Sequence, residues 1–331
     1  MDCGLCSLGS RYGFAPASAL LVLIAASSLP ACGTPTSNDD EGSAETQSGN
    51  DGEMGVTGGT GAASGGDGDA GNADPCEGEF GCECDADETC AGSLECTDGV
   101  CVPAGARWIP TGPVNPGEEG SLADLPGYAI DETEVSAGAY AACMDAGMCT
   151  TANEYCPIEL LSPEAMFEYA DRPVRCVSWW QAVEYCAFVG GELPSSTQWL
   201  KAAQGTGKSL YPWGDTPDPA CPAVTLDTGE IDQPVYTNGC GGGTPTKLGA
   251  AEGDVSVYGV RDTLGNVTEW TGTDYPGDET EERKILRGAN YTTPQTTGIQ
   301  ELALTNRHVR TPDFVARDVG FRCAYFPTEA P

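Results

Sequence analysis

The sequence predicts an α+β fold: an irregular, loop-rich domain preceded by a small disulfide-rich module. Three observations carry this expectation. Only three stretches read as helices, and short apolar stretches elsewhere alternate with Gly, Pro, Asp and Thr. Six Cys crowd the segment from Cys76 to Cys101, ahead of the first Trp. Length permits one large domain or two ordinary ones. The 50 Asp and Glu against 15 Lys and Arg give a formal charge of -35, which argues against binding nucleic-acid phosphates. With one histidine, His308, no site with two His ligands is possible and any His-based triad has to use that residue. Seventeen Cys predict an oxidising compartment.

Residues 1–31 read as a lipoprotein signal peptide. Arg11 precedes an apolar run from Phe14 to Leu29, too short for a comfortable membrane span but suited to a signal core. The run ends in Leu29-Pro30-Ala31-Cys32, which resembles the lipobox of bacterial lipoproteins and predicts acylation of Cys32 after cleavage. The expected address is therefore outside the cytoplasm, anchored by lipid to the outer membrane or cell surface of a Gram-negative bacterium. Cys3 and Cys6 would be discarded with the leader. Residues 32–74 are Gly, Ser, Thr and acidic residues with almost no large apolar side chain, and predict a disordered linker.

Residues 75–103 contain Cys76, Cys82, Cys84, Cys90, Cys96 and Cys101. So short a segment has no real core and needs covalent links. It has no CxxC pair and no His, so disulfides are expected over zinc, but six Cys allow 15 pairings. The main domain is expected over 104–326, with 327–331 as a tail. Helices are expected at 135–146, closed by Gly147, and at 179–189, closed by Gly190-Gly191. A third starts at the capping-box pattern Ser195-Ser196-Thr197-Gln198 and runs to Gln204, before Gly205.

Seven motifs then occur in order: Ile130-Asp131-x-x-Glu134-Val135; Arg172-Pro173-Val174 with Val177-Ser178-Trp179-Trp180; Leu193-Pro194-Ser195 with Trp199-x-x-Ala202-Ala203; Tyr211-Pro212-Trp213-Gly214; Asp262-x-x-Gly265-Asn266-Val267-x-Glu269-Trp270; Leu286-Arg287-Gly288; and Gly320-Phe321-Arg322-Cys323-Ala324. Together they resemble the formylglycine-generating enzyme, or sulfatase-modifying factor, family from Trp108 to Ala324. The resemblance implies a variant of the C-type-lectin-like fold. Active members convert a sulfatase Cys to formylglycine with copper(I) held by two Cys thiolates. Here the matching stretch, Gly288-Ala289-Asn290-Tyr291-Thr292-Thr293, contains no Cys through Thr305, and Thr293 stands nearest the first Cys position. Thiolates suit Cu(I) and hydroxyls do not, so copper is not expected and no catalytic residue is assigned.

The resemblance also implies a Cys186–Cys323 disulfide. Cys221 and Cys240 bracket one loop and are expected to pair, while Cys143, Cys149, Cys156 and Cys176 make two further bridges of open connectivity. It implies a structural calcium ion on Asp262, the carbonyls of Gly265 and Val267, and Glu269. Asn290, Arg307 and His308 are candidates for a ligand groove. The expected function is a membrane-anchored, non-catalytic binding or interaction module with a protein, peptide or glycan ligand, a use that rests on fold analogy. The alternatives are a formylglycine-generating oxidase or an accessory pseudoenzyme. Oligomeric state is not legible.

Overall fold

The computed structural model describes residues 78–115, 123–151, 156, 162–207, 209–215, 224–227, 240–241, 244–277, 281–294 and 302–327. Segments 1–31 and 32–74, with Cys32, Cys76 and Cys221, lie outside the described residues, as does the side chain of Cys240. Among the described residues no helix is long and apolar enough to cross a membrane.

The six-Cys segment forms one hairpin, β1 (Leu94–Thr97) with β2 (Val100–Pro103), turned by Asp98 and Gly99 at positive φ. Disulfides Cys84–Cys96 and Cys90–Cys101 staple it, and Cys82 is also disulfide-bonded. The hairpin packs against the main domain. Val102 sits in the same apolar cluster as Trp270 and Phe321, and Phe80 meets Trp108 edge-on at 6.4 Å.

Strand β3 (Ala106–Ile109) comes next, then the small hairpin β4 (Gly112–Val114) with β5 (Ala123–Leu125), then β6 (Tyr128–Asp131). Helix α1 (Ala137–Asp145) begins two residues later than expected. Val135 is held in bridging hydrogen bonds with Phe321 and Val174, so Ser136 becomes the cap and its Oγ accepts from Ala139. Helix α2 (Pro163–Phe167) was not expected; Ser162 caps it and Pro163 occupies its first turn. Helix α3 (Trp179–Phe188) opens on a Ser178–Gln181 capping box, and α4 (Ser196–Gln204) on the Ser195–Gln198 box. Gly190 and Gly205, both at positive φ, follow the two helices.

The remaining strands are short: β7 (Leu226–Asp227) pairs with β8 (Cys240–Gly241), then come β9 (Thr268–Asp274), β10 (Lys284–Arg287), β11 (His308–Arg310), β12 (Val319–Gly320) and β13 (Ala324–Tyr325). One sheet has the order β11-β10-β9-β12, with β12 parallel to β9; a second has the order β13-β6-β3. Between these sheets and the helices, Tyr185 packs on Tyr140 and Phe321 with ring centroids 5.7 and 5.5 Å apart.

Among the described residues of this domain the disulfides are Cys143–Cys149, Cys156–Cys176 and Cys186–Cys323. The last ties α3 to the segment before β13 across 137 residues, a constraint of about 4–5 kcal/mol on the chain-entropy model.

Candidate functional site

Two neighbouring places carry the expected chemistry, one on either side of β9. The first lies just after β10. Gly288 turns the chain at φ +81, where a Cβ would stand 2.9 Å from Thr263 O, so only glycine fits. The turn 290–293 then closes on itself. Thr293 donates its amide to Asn290 O at 2.9 Å, and its Oγ1 accepts from Asn290 N at 3.1 Å. Asn290 Oδ1 accepts from the amide and hydroxyl of Thr292 at 2.8 and 2.7 Å, while Asn290 Nδ2 donates to Thr268 Oγ1 at 2.9 Å. Asp318 Oδ2 lies 3.2 Å from the Thr292 hydroxyl. Beneath the turn, buried Tyr291 donates its hydroxyl to Arg317 O.

This turn is a network of amides, hydroxyls and one carboxylate. Copper(I) calls for soft sulfur donors, and none of these groups supplies one. Moreover, every cysteine whose side chain is described is disulfide-bonded. The donor set does not fit copper.

The second place is the loop 262–266 and the start of β9. Asp254 organises this loop: its carboxylate accepts from Thr263 N and Oγ1, Leu264 N and Gly265 N at 2.9–3.1 Å. Gly265 packs so tightly that a Cβ would meet Thr225 N and O at 2.8 and 2.7 Å. Asp262 Oδ2 accepts from Gly249 N at 2.5 Å, and its Oδ1 is buried without a partner. Burial, with the charge of Asp254 next, pushes the Asp262 carboxyl up to about 7.

Glu269, the last residue of the expected calcium set, sits in a buried ion pair. It is fully buried against fully buried Arg322. Arg322 Nε and Nη2 reach Glu269 Oε2 and Oε1, each at 2.7 Å, and Trp199 Nε1 donates to Oε2 at 2.8 Å. A cation on either oxygen would stand beside the guanidinium. In the carried-over set of Asp262, Gly265, Val267 and Glu269, the Glu269 carboxylate has Arg322 as its buried counter-ion. Both Trp199 and Arg322 belong to motifs visible in the sequence, but nothing in their spacing linked them to Glu269.

Of the expected groove residues, Asn290 belongs to the 290–293 network. His308 starts β11 opposite Leu286, with Arg307 just before it. Two hollows of the surface lie elsewhere. One of about 530 Å³ runs between Trp179, Val183 and Ala187 on α3 and Glu192, Gln198 and Phe326. The other, about 440 Å³, is lined by Asp131, Glu134, Tyr185 and Tyr325 among others. Neither is lined by Asn290, Arg307 or His308.

The family model "sulfatase-modifying factor enzyme 1-like domain" matches residues 88–326. The chain belongs to the sulfatase-modifying factor family. Inactive Cα-formylglycine-generating enzyme 2 of Bos taurus is 34% identical over 160 residues, covering 47% of this chain and 51% of that protein. The formylglycine-generating enzyme of Thermomonospora curvata is 30% identical over 183 residues, covering 47% and 56%. Hercynine oxygenase of Mycobacterium tuberculosis is 38% identical over 108 residues, covering 31% and 22%. The chain thus spans 51% and 56% of the first two relatives. Among solved structures, PvdO from Pseudomonas aeruginosa is 20% identical with a TM-score of 0.47, covering 66% of this chain and 93% of that one. The sulfatase-modifying factor family thus includes proteins named as oxidoreductases and proteins named as inactive, and the residues at the turn 290–293 bear on which kind this chain is.

Proposed function

We propose that this sulfatase-modifying factor domain is a non-catalytic binding module, carried on a protein anchored to a membrane through acylated Cys32. The observation that carries the reading is the turn 290–293. Where the family resemblance places copper thiolates, Asn290, Thr292 and Thr293 bond to one another, Thr268 and Asp318 through oxygen and amide groups. The relative named inactive, at 34% identity, is consistent with such a loss. Exposed Phe326 lines the hollow along α3, and the same helix also exposes Trp180 and Phe188, which favours a binding surface for a protein, peptide or glycan.

The test incubates the Cu(I)-treated full chain with a Cys-x-Pro-x-Arg peptide and reads formylglycine by mass spectrometry. Unchanged peptide is the expected result, and formation of the aldehyde would overturn the reading. For the anchor, a fatty-acid analogue is expected to label wild type in cells but not Cys32→Ala; equal labelling would remove it.

A further inference from the structure

The hollow along α3 joins two features that together specify an occupant. The first is its apolar wall. Trp179, Val183, Ala187, Leu193 and Phe326 line it, and its volume of about 530 Å³ is that of a ligand-binding cleft. The helix that forms one wall exposes further apolar groups. Trp180 stands edge-on to Trp179 with ring centroids 4.8 Å apart, and Trp180, Phe188 and the cap residue Val189 are all exposed. Single exposed apolar residues need no explanation, whereas a run of them along one helix and its cleft marks a contact surface.

The second feature is charge. Glu192 is the only charged residue among those that line the hollow; it is exposed and has no ion-pair partner among the described residues. The cations of the adjoining sheet do not line it. Lys284, 3.9 Å from the centre of the Trp179 ring, is held by Asp274 at 2.5 Å and Glu282 at 2.9 Å, and Arg310 lies over Phe314. The whole chain carries a formal charge of -35. A second copy or an anionic lipid surface would bring like charge to this face and be repelled. A neutral glycan would leave Glu192 unused. A segment that combines apolar side chains with Lys or Arg uses both features at once.

We propose that the hollow along α3 docks a basic amphipathic segment of a partner protein, with an apolar side chain between its walls and a Lys or Arg against Glu192. The assignment rests on the reading of this domain as a binding module and names the chemistry of its partner. The apolar contact supplies most of the affinity, and the carboxylate selects the sign of the partner's charge.

The experiment selects from a random dodecapeptide library on the immobilised full chain, then measures the enriched peptides as synthetic fluorescein conjugates by anisotropy. The enriched sequences are expected to pair large apolar residues with Lys or Arg, and to bind more weakly as salt is added. Ala187 and Glu192 are both exposed, so changing them spares the core. Glu192→Lys is expected to weaken binding by about three- to tenfold, and Ala187→Arg, which fills the hollow with a cationic side chain, by about tenfold or more. Glu168→Lys, an exposed acid beyond α2 that does not line the hollow, is expected to change affinity by less than about twofold. Three results would each overturn the assignment: no enrichment, enrichment of sequences without Lys or Arg, or Glu192→Lys with an effect no larger than that of Glu168→Lys. If Ala187→Arg is not recovered folded, Glu192→Lys decides alone. Any of the three, found together with unchanged peptide in the formylglycine assay, would remove the basic partner and leave the non-catalytic reading standing.

Discussion

Replacing Arg322 by Met removes a fully buried guanidinium while keeping an apolar chain of similar length. Arg322 and Glu269 are both fully buried, and the guanidinium makes two 2.7 Å contacts to the carboxylate plus four to main-chain oxygens at 2.9–3.3 Å. After the change Glu269 keeps only the Trp199 N–H at 2.8 Å. Removing one partner of a buried ion pair costs about 3–5 kcal/mol, because the charge left behind is neither solvated nor paired. For a domain of this size each kcal/mol lowers Tm by about 2–4 °C, so Arg322→Met is expected to lose roughly 6–20 °C. The assay is calorimetry or circular dichroism with disulfides intact. The companion variant Arg322→Met/Glu269→Gln leaves no charge behind and keeps an acceptor for Trp199, so it is expected to be more stable than Arg322→Met alone by about 1–3 kcal/mol. An Arg322→Met loss within about 1 kcal/mol, or a double variant no better than the single, would refute the reasoning.

Replacing both Cys186 and Cys323 by Ala is expected to cost about 4–5 kcal/mol of stability, read by chemical denaturation; a change under about 1 kcal/mol would contradict the constraint assigned to that 137-residue loop. Asp131 accepts from Cys323 N and the Tyr325 hydroxyl, yet burial raises its carboxyl from 3.8 to about 6. The folded value lies above the unfolded one, so this group contributes stability that is fully present below about pH 4 and lost as pH rises through about 6. Asp131→Asn cannot titrate, and its Tm is expected to fall less than wild type between those two pH values; parallel profiles would contradict the assignment.

Local signals were legible and long-range partners were not. The Ser195-x-x-Gln198 box marked the start of α4, and Gly205 its end, because capping is decided within a few residues. Helix α2 escaped because five residues are too few for an apolar period, although Ser162-Pro163 is a usable start signal. The missing thiolates of the turn 290–293 could be read directly, since they depend on residue identity alone. The partner of Glu269 could not. It lies 53 residues away on the segment beside β12, and the parallel β9–β12 pairing that brings them together leaves no trace in sequence spacing. A usable hint was Glu269 itself, a carboxylate between the apolar residues Val267 and Trp270, which needs a buried cation or a metal.

Cu(I) affinity of the full chain, measured by competition with a colorimetric Cu(I) chelator, tests most directly whether the scaffold has lost its copper chemistry. The expected result is that the chain withdraws no copper from the chelator, in wild type and in Thr293→Ala alike. Stoichiometric withdrawal of Cu(I) by the wild type would contradict a turn built from Asn290, Thr292 and Thr293 in place of the metal thiolates.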